Sequence, residues 1–343
     1  MQEPTSKYSR RSDNTGTYDV EKNNHADRSD YDDDNDDERN KKFNDGIEED
    51  DDGMVNLLDH YEFRQSYGYF SILFSLTQVA ILATMMLECG IAPLNINPMI
   101  GPYPDVMSYW GAKNALKILD DGENWRLLTP VLLHAGILHL IGNVHVQWDL
   151  GVFFEKEWGS AAWLIVYLTS GVGSSILSVY CMPDNISVGS SGAIMGLFGA
   201  KLSEIFVKWY EPRETILEKV GHAVRKEQLC MVSGGVVLVM LLSFIPYVDW
   251  AAHLGGLLSG IAVGMVVFSI EKRNRFWRSV WLLVGIGLTT LYFWKTIQLM
   301  YSGVEPMQDL EDVCAYYQQY FEDYECTCVL RGDDGSGDND SGD

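Results

Sequence analysis

The sequence predicts an all-α, polytopic membrane protein: a bundle of transmembrane helices with an acidic tail at each end. Three observations carry that class. Seven apolar segments recur between Gly68 and Met300, each near the ~20 residues that cross ~30 Å of hydrocarbon. Lys and Arg gather in alternate links between those segments, the asymmetry that orients membrane proteins. The net charge of −23 over 343 residues is concentrated outside the apolar region.

The first segment, 68–91, is a plain apolar run. The second, 129–152, is the least hydrophobic, with His134, His139, Asn143, His145 and Gln147. A soluble core helix is the competing reading for that segment alone, and its neighbours favour membrane burial. The third and fourth are 161–182 and 191–209; the fourth opens on Gly189-Ser190-Ser191-Gly192-Ala193. The fifth is 229–247. The sixth, 250–270, opens on Ala251-Ala252-His253-Leu254-Gly255-Gly256, and the seventh is 277–300. Gly, Ser and Thr interrupt several segments, which suits helices in close contact within lipid.

The link between the fourth and fifth segments holds Lys208, Arg213, Lys219, Arg225 and Lys226; that between the sixth and seventh holds Lys272, Arg273, Arg275 and Arg278. Both are expected in the cytosol. The N-terminus is then cytosolic, and the C-terminus and the long stretch 92–128 are external. The links at Pro183-Asp184-Asn185 and Ile245-Pro246-Tyr247 lack Lys and Arg, as external loops should. Tyr103, Tyr109, Trp110 and Trp125 suit an interfacial belt.

Residues 1–64 carry runs such as Asp32-Asp33-Asp34 and Glu48-Glu49-Asp50-Asp51-Asp52. They bury too little apolar surface to fold, and read as a disordered acidic cytosolic tail. Acid runs exclude nucleic-acid binding and do not fit a mitochondrial transit peptide, which is Arg-rich and acid-poor. Residues 302–343 form an acidic external tail with Cys314, Cys326 and Cys328. In an exported compartment these, with Cys89 and Cys181, are candidates for disulfides, and Cys326 and Cys328 pair more easily elsewhere than with each other. The sequon Asn339-Asp340-Ser341 is a candidate for glycosylation.

Polar residues at the ends of membrane helices are costly, and mark functional sites by default. Serine becomes a nucleophile when a base takes its proton, and His253 titrates in the right range. Ser191 is expected in the first turn of its helix, where free N–H groups and the dipole favour developing negative charge. Gly189 and Gly192 permit a tight turn and close approach of a peptide. His253, Gly256, Gly260 and Gly264 share one helix face, and Gly192, Gly196, Gly199 and Ala200 offer a matching surface. If the two helices pack on these faces, the pair can cut peptide bonds within a bilayer. His139 and Asn143, four apart, are candidate oxyanion donors, with interhelical glue as the competing role. His134 lies about 140° around from His139 on a helix, and is expected in a structural contact. Asp249, four residues before His253, reads as an N-cap rather than a third catalytic member. Ser190 is the alternative nucleophile. The His/Asn set lacks a His-Glu-x-x-His helix, so neither metal nor cofactor is expected.

Over roughly residues 65–301 these features resemble the rhomboid family of intramembrane serine proteases. Trp125-Arg126 resembles the Trp-Arg motif of the first external loop, and His134…His139…Asn143 the His…His…Asn motif of the second helix. Glu155 and Gly159 resemble the Glu-x-x-x-Gly pattern that follows. Gly189-Ser190-Ser191-Gly192 resembles Gly-x-Ser-Gly, with Ser190 where Ala is more usual. Ala252-His253-Leu254-Gly255-Gly256 resembles the base-helix motif. The resemblance implies a six-helix core plus a seventh C-terminal helix, as in the eukaryotic secretase-type subgroup. It implies a Ser191–His253 dyad without an obligatory Asp, oxyanion support from His139 and Asn143, and structural roles near the site for Gly189, Gly192, Gly256, Gly260, His134, Trp125, Arg126 and Glu155. It also implies single-pass transmembrane substrates, cut near the outer end of a destabilised helix, and a place in the Golgi or plasma membrane rather than the mitochondrion. Two other classes compete: a non-proteolytic relative that binds client membrane proteins, and an unrelated transporter or receptor. A transporter would be expected to show internal repeats or charges along a conduction path, and the charges here gather at the links.

Overall fold

A computed structural model describes residues 63–212, 216–246 and 248–326. The readings of 1–62, Cys328 and Asn339 lie outside these residues. Among the described residues the fold is helical, apart from one isolated bridge between Lys113 and Ser187. The helices are α1 Tyr69–Cys89, α2 Pro104–Tyr109, α3 Ala115–Leu119, α4 Ile137–Val146, α5 Val152–Trp158, α6 Ser160–Cys181, α7 Ser191–Lys208, α8 Ile216–Leu242, α9 Trp250–Ser269, α10 Arg275–Gly303 and α11 Val313–Gln318. Each of the seven apolar segments holds one long helix or helical run. By length and composition α1, α6, α9 and α10 are candidate membrane spans.

The second segment differs most from its sequence reading. Thr129–Leu132 is a short 3-10 turn, and the helix begins only at Ile137. His134 therefore sits in the loop before the helix, and its angular offset from His139 has no meaning. The cause is the pair Gly101 and Gly136. A Cβ on either would strike a carbonyl of the facing strand of loop, Ala135 O or Met99 O. That close approach lets Met99 and Ile100 carbonyls accept from Leu138 and Ile137, satisfying the free N–H groups of the helix start. Lower down, a π-turn at Gln147–Gly151 joins α4 to α5. Gln147 there donates to Ser75 Oγ (2.7 Å) and Ser71 O (3.1 Å) of α1, and accepts from Tyr167 Oη of α6 at 2.7 Å. The fifth segment differs too: α8 starts at Ile216, because its charged first turns continue the helix beyond the apolar run.

The centre of the bundle is the crossing of α7 and α9, built as the small-residue stripes predict. A Cβ on Gly256 would stand against Gly192 O, one on Gly260 against Gly196 O, and one on Gly264 2.6 Å from Ala200 Cα. Helix α6 is a third party not foreseen from the stripes: Ser174 lies over Gly192, Ser170 over Gly196, and Ser259 against Gly173. Tyr292 of α10 fastens this layer, its hydroxyl 2.8 Å from Gly173 O and 3.0 Å from Gly255 O.

The two ends of the bundle are held differently. At the end away from Ser191, Lys201 is fully buried and donates to Glu157 (2.6 Å) and Glu204 (2.8 Å). Lys208 bridges Glu204 and Glu271, and Glu271 also pairs with Arg64. Charges gathered only at the links were the expectation; Lys201 and Glu204 lie within α7, and mutual pairing makes their burial affordable. At the other end the loop 90–133 is pinned by Arg126, which donates to Ser108 O and Ala112 O. Residues 304–326 pack onto that loop. Tyr324 stacks on Tyr317 and meets Tyr103 edge-on, and a Cys314–Cys326 disulfide closes the segment. Cys89 is disulfide-bonded as well.

Candidate active site

Helices α7 and α9 start on the same side of the bundle, which brings two first-turn side chains together. Ser191 is the first residue of α7, and His253 lies in the first turn of α9. Ser191 Oγ and His253 Nε2 are 2.8 Å apart. His253 is 7% exposed, while Ser191 stays partly open. Asp249 caps α9: one carboxylate oxygen accepts from Ala252 N at 2.8 Å, and the other accepts from Ser178 of α6. Asp249 thus makes the N-cap the sequence predicts. His253 Nδ1 instead faces Ser243 Oγ, at 2.6 Å.

Ser190 points elsewhere. It is fully buried, with Oγ 3.4 Å from His134 Nε2. The geometry therefore separates the two adjacent serines: one meets His253, and the other fills a structural contact with His134. His134 packs edge-on against His139, ring centres 5.2 Å apart.

The turn before Ser191 shows why glycine stands at 189. Its φ is +131°, and a Cβ there would lie 2.7 Å from His139 Cε1 and 3.0 Å from Nε2. Glycine alone takes this backbone at little cost. His139 thus presents its Nε2 edge to the residues leading into Ser191. Its Nδ1 faces Ala135 N–H at 3.5 Å, so the Nε2 proton is on the side of Ser191. The Asn143 amide nitrogen is buried and has no hydrogen-bond partner among the described residues. It sits 3.6 Å from the Cβ position of Gly189. A buried N–H donor without an acceptor is costly. Here the donor lies beside the turn that leads into Ser191 and the free N–H groups at the start of α7.

Three of the sequence-flagged residues stand apart. Trp125 and Arg126 organise the loop 90–133: the guanidinium lies 4.5 Å over the Trp125 ring, and a Cβ on Gly111 would strike that ring. Glu155 is not near the dyad. It lies twelve residues beyond Asn143 along the same helical run, about 18 Å at ~1.5 Å per residue. Its carboxylate accepts from Phe70 N (2.9 Å), Ser71 N (2.8 Å) and Ser160 Oγ (2.6 Å), so it caps the start of α1.

A family profile described as the rhomboid domain matches residues 121–270, the stretch that contains every one of the site residues above. The chain belongs to the rhomboid family. Among curated relatives, RHOMBOID-like protein 6, mitochondrial, of Arabidopsis thaliana is 34% identical over 189 residues, 54% of this chain and 57% of that protein. Rhomboid-like protease 2 of Toxoplasma gondii is 30% identical over 57% of this chain and 64% of its own length. Rhomboid protease GluP of Bacillus subtilis (strain 168) is 30% identical over 67% of this chain and 41% of its own. The chain thus spans roughly half the length of the curated relatives it matches. Family membership and the apolar helices make this rhomboid an integral membrane protein.

Proposed function

We propose that this rhomboid is an intramembrane serine endopeptidase with Ser191 as nucleophile and His253 as general base. The 2.8 Å contact between Ser191 Oγ and His253 Nε2 carries the reading. Two relatives whose names describe proteases support it. In the proposed reaction His253 Nε2 takes the Ser191 proton as Oγ attacks the scissile carbonyl carbon. The oxyanion forms against His139 Nε2–H, the Asn143 amide and the first backbone N–H groups of α7. His253 then protonates the leaving amine, and water repeats the cycle on the acyl-serine. The helix start supplies this charge stabilisation without a metal.

The proposed substrate is a single-pass transmembrane protein cut near the outer end of its membrane segment, releasing its external part. A stable helix hides its peptide bonds, so the cut segment must unwind to reach a residue at a helix start. The proposed orientation puts residues 1–64 in the cytosol and 302–343 outside; the Cys314–Cys326 disulfide supports an oxidising side for the tail. A secretory-pathway or plasma-membrane location follows from that reading, although one relative's name points to mitochondria. Fluorescent tagging decides between them, and a mitochondrial pattern overturns the secretory assignment.

The reading is tested with a tagged single-pass reporter in proteoliposomes. Wild type is expected to cleave, and Ser191→Ala and His253→Ala to lose cleavage at unchanged expression. Cleavage that survives Ser191→Ala would falsify the dyad. A wild type inactive over a panel of helix-destabilised reporters points instead to a client-binding, non-proteolytic protein.

A further inference from the structure

We propose that Ser243 is a positioning residue that fixes the tautomer of His253 and ties that setting to the outer end of α8. The inference rests on the dyad reading above and deepens it. Ser243 follows the last residue of α8, and is 2% exposed. From Ser233 to Trp250 it is the only buried residue among those described. A buried serine in an otherwise open helix end needs partners, and Ser243 has two. Its Oγ is 2.6 Å from Val239 O and 2.6 Å from His253 Nδ1.

A hydroxyl has one proton and two lone pairs. A carbonyl can only accept, so the Ser243 proton goes to Val239 O. The oxygen lone pair left over faces Nδ1, which must then carry a hydrogen. A neutral imidazole holds one ring proton, so Nε2 is left with a lone pair, aimed at Ser191 Oγ. This is the tautomer a general base requires. When Nε2 takes the serine proton, Nδ1–H keeps the same acceptor, so the ring need not turn.

No carboxylate fills this role. Asp249, the charged group nearest His253 on its own helix, has one oxygen committed to Ala252 N and the other to Ser178. From α4 the titratable group facing His253 is His139, which lies on the Ser191 side. The acceptor therefore comes from α8, whose buried residues Val220, Val224, Gln228 and Val232 all lie in its inner part. Moving the outer end of α8 away removes the Nδ1 acceptor, and with it the fixed tautomer.

The test uses full-length protein in proteoliposomes with the single-pass reporter. Ser243→Ala is expected to lower kcat by at least about tenfold, part of the 10²–10⁴-fold that a general base supplies, with KM little changed. The acidic limb of the kcat/KM profile is expected to move, since the group that titrates there loses its partner. Ser243→Thr keeps the hydroxyl and is expected to restore most of kcat. A ¹⁵N-imidazole spectrum of wild type, assigned by the signal absent in His253→Ala, is expected to show His253 protonated at Nδ1 near neutral pH. Protonation at Nε2 overturns the proposal, even if the alanine variant misfolds. So does unchanged kcat in Ser243→Ala, or a threonine variant as slow as alanine. If Ser191→Ala is inactive and Ser243→Ala is fully active, this inference alone fails and the dyad stands.

Discussion

At the scale of single residues, the site depends on hydrogen-bond roles as much as on residue types. His139 and His253 are both first-turn or near-first-turn imidazoles, yet their partners set opposite tautomers: a backbone N–H faces Nδ1 of one, and a serine oxygen faces Nδ1 of the other. On the proposed reading, one donates at Nε2 and the other accepts there. On the proposed reading Asn143 completes the donor set, with a buried nitrogen that has no partner among the described residues. Asn143→Ala is expected to lower kcat by about 10²-fold or more at little cost in KM, the scale of a lost oxyanion donor, as measured by reporter kinetics. Asp249→Asn is expected to keep most activity, since asparagine also caps helices well. A loss as deep as that of Ser191→Ala would make Asp249 a member of the catalytic set rather than a cap.

At the scale of elements, the crossing of α7, α9 and α6 decides whether the side chains meet at all. Gly256 packs against the Gly192 carbonyl, one residue from Ser191. Gly256→Val cannot be absorbed by rotamer changes, because the obstacle is backbone; overpacking of this kind costs roughly 3 kcal/mol or more. Lost cleavage and a lowered melting temperature are expected, with Ser191 and His253 both present. This packing was legible in the sequence, because small residues at four-residue spacing have few other uses in an apolar helix. Ser191 and His253 were legible for a similar reason: polar residues are scarce there, and each opens its segment. Ser243, Gln147 and Lys201 were not legible. A serine within an apolar run, a glutamine opening a π-turn and a lysine inside a span acquire meaning only from partners remote in sequence. The start of α4 was misread because the apolar pattern runs through Thr129–Leu133, whereas Pro130 and the close approach of Gly101 to Gly136 break the helix there.

At the scale of the whole molecule, the two ends carry different chemistry. One end is held by paired charges around Lys201, the other by the aromatic and disulfide packing of residues 304–326 on the loop 90–133. Asp105 sits in that second contact. Tyr324 Oη donates to its Oδ1 at 2.5 Å and accepts from its backbone N–H at 3.2 Å, while Oδ2 is buried and unpartnered. Burial raises the Asp105 carboxyl above its ordinary range. The docked state therefore binds more protons than the undocked one. Its stability is full below the ordinary carboxylate value of about 4, and declines as pH rises through the higher docked value. Hydrogen-exchange protection in 104–109 and 313–324, taken relative to the intrinsic rate at each pH, is expected to be greater at mildly acidic pH than at pH 8. Asp105→Asn is expected to flatten that dependence.

The position of the docked segment in the chain gives assembly an order. Residues 304–326 follow α10 in the chain, so the apolar surface of Tyr103, Val106 and Met107 stays uncovered until they are made. Once both cysteines are oxidised, the Cys314–Cys326 disulfide ties the covering segment into a closed loop. A nascent chain thus differs from a completed one in the exposure of this one loop, and docking of the segment is a late step in assembly.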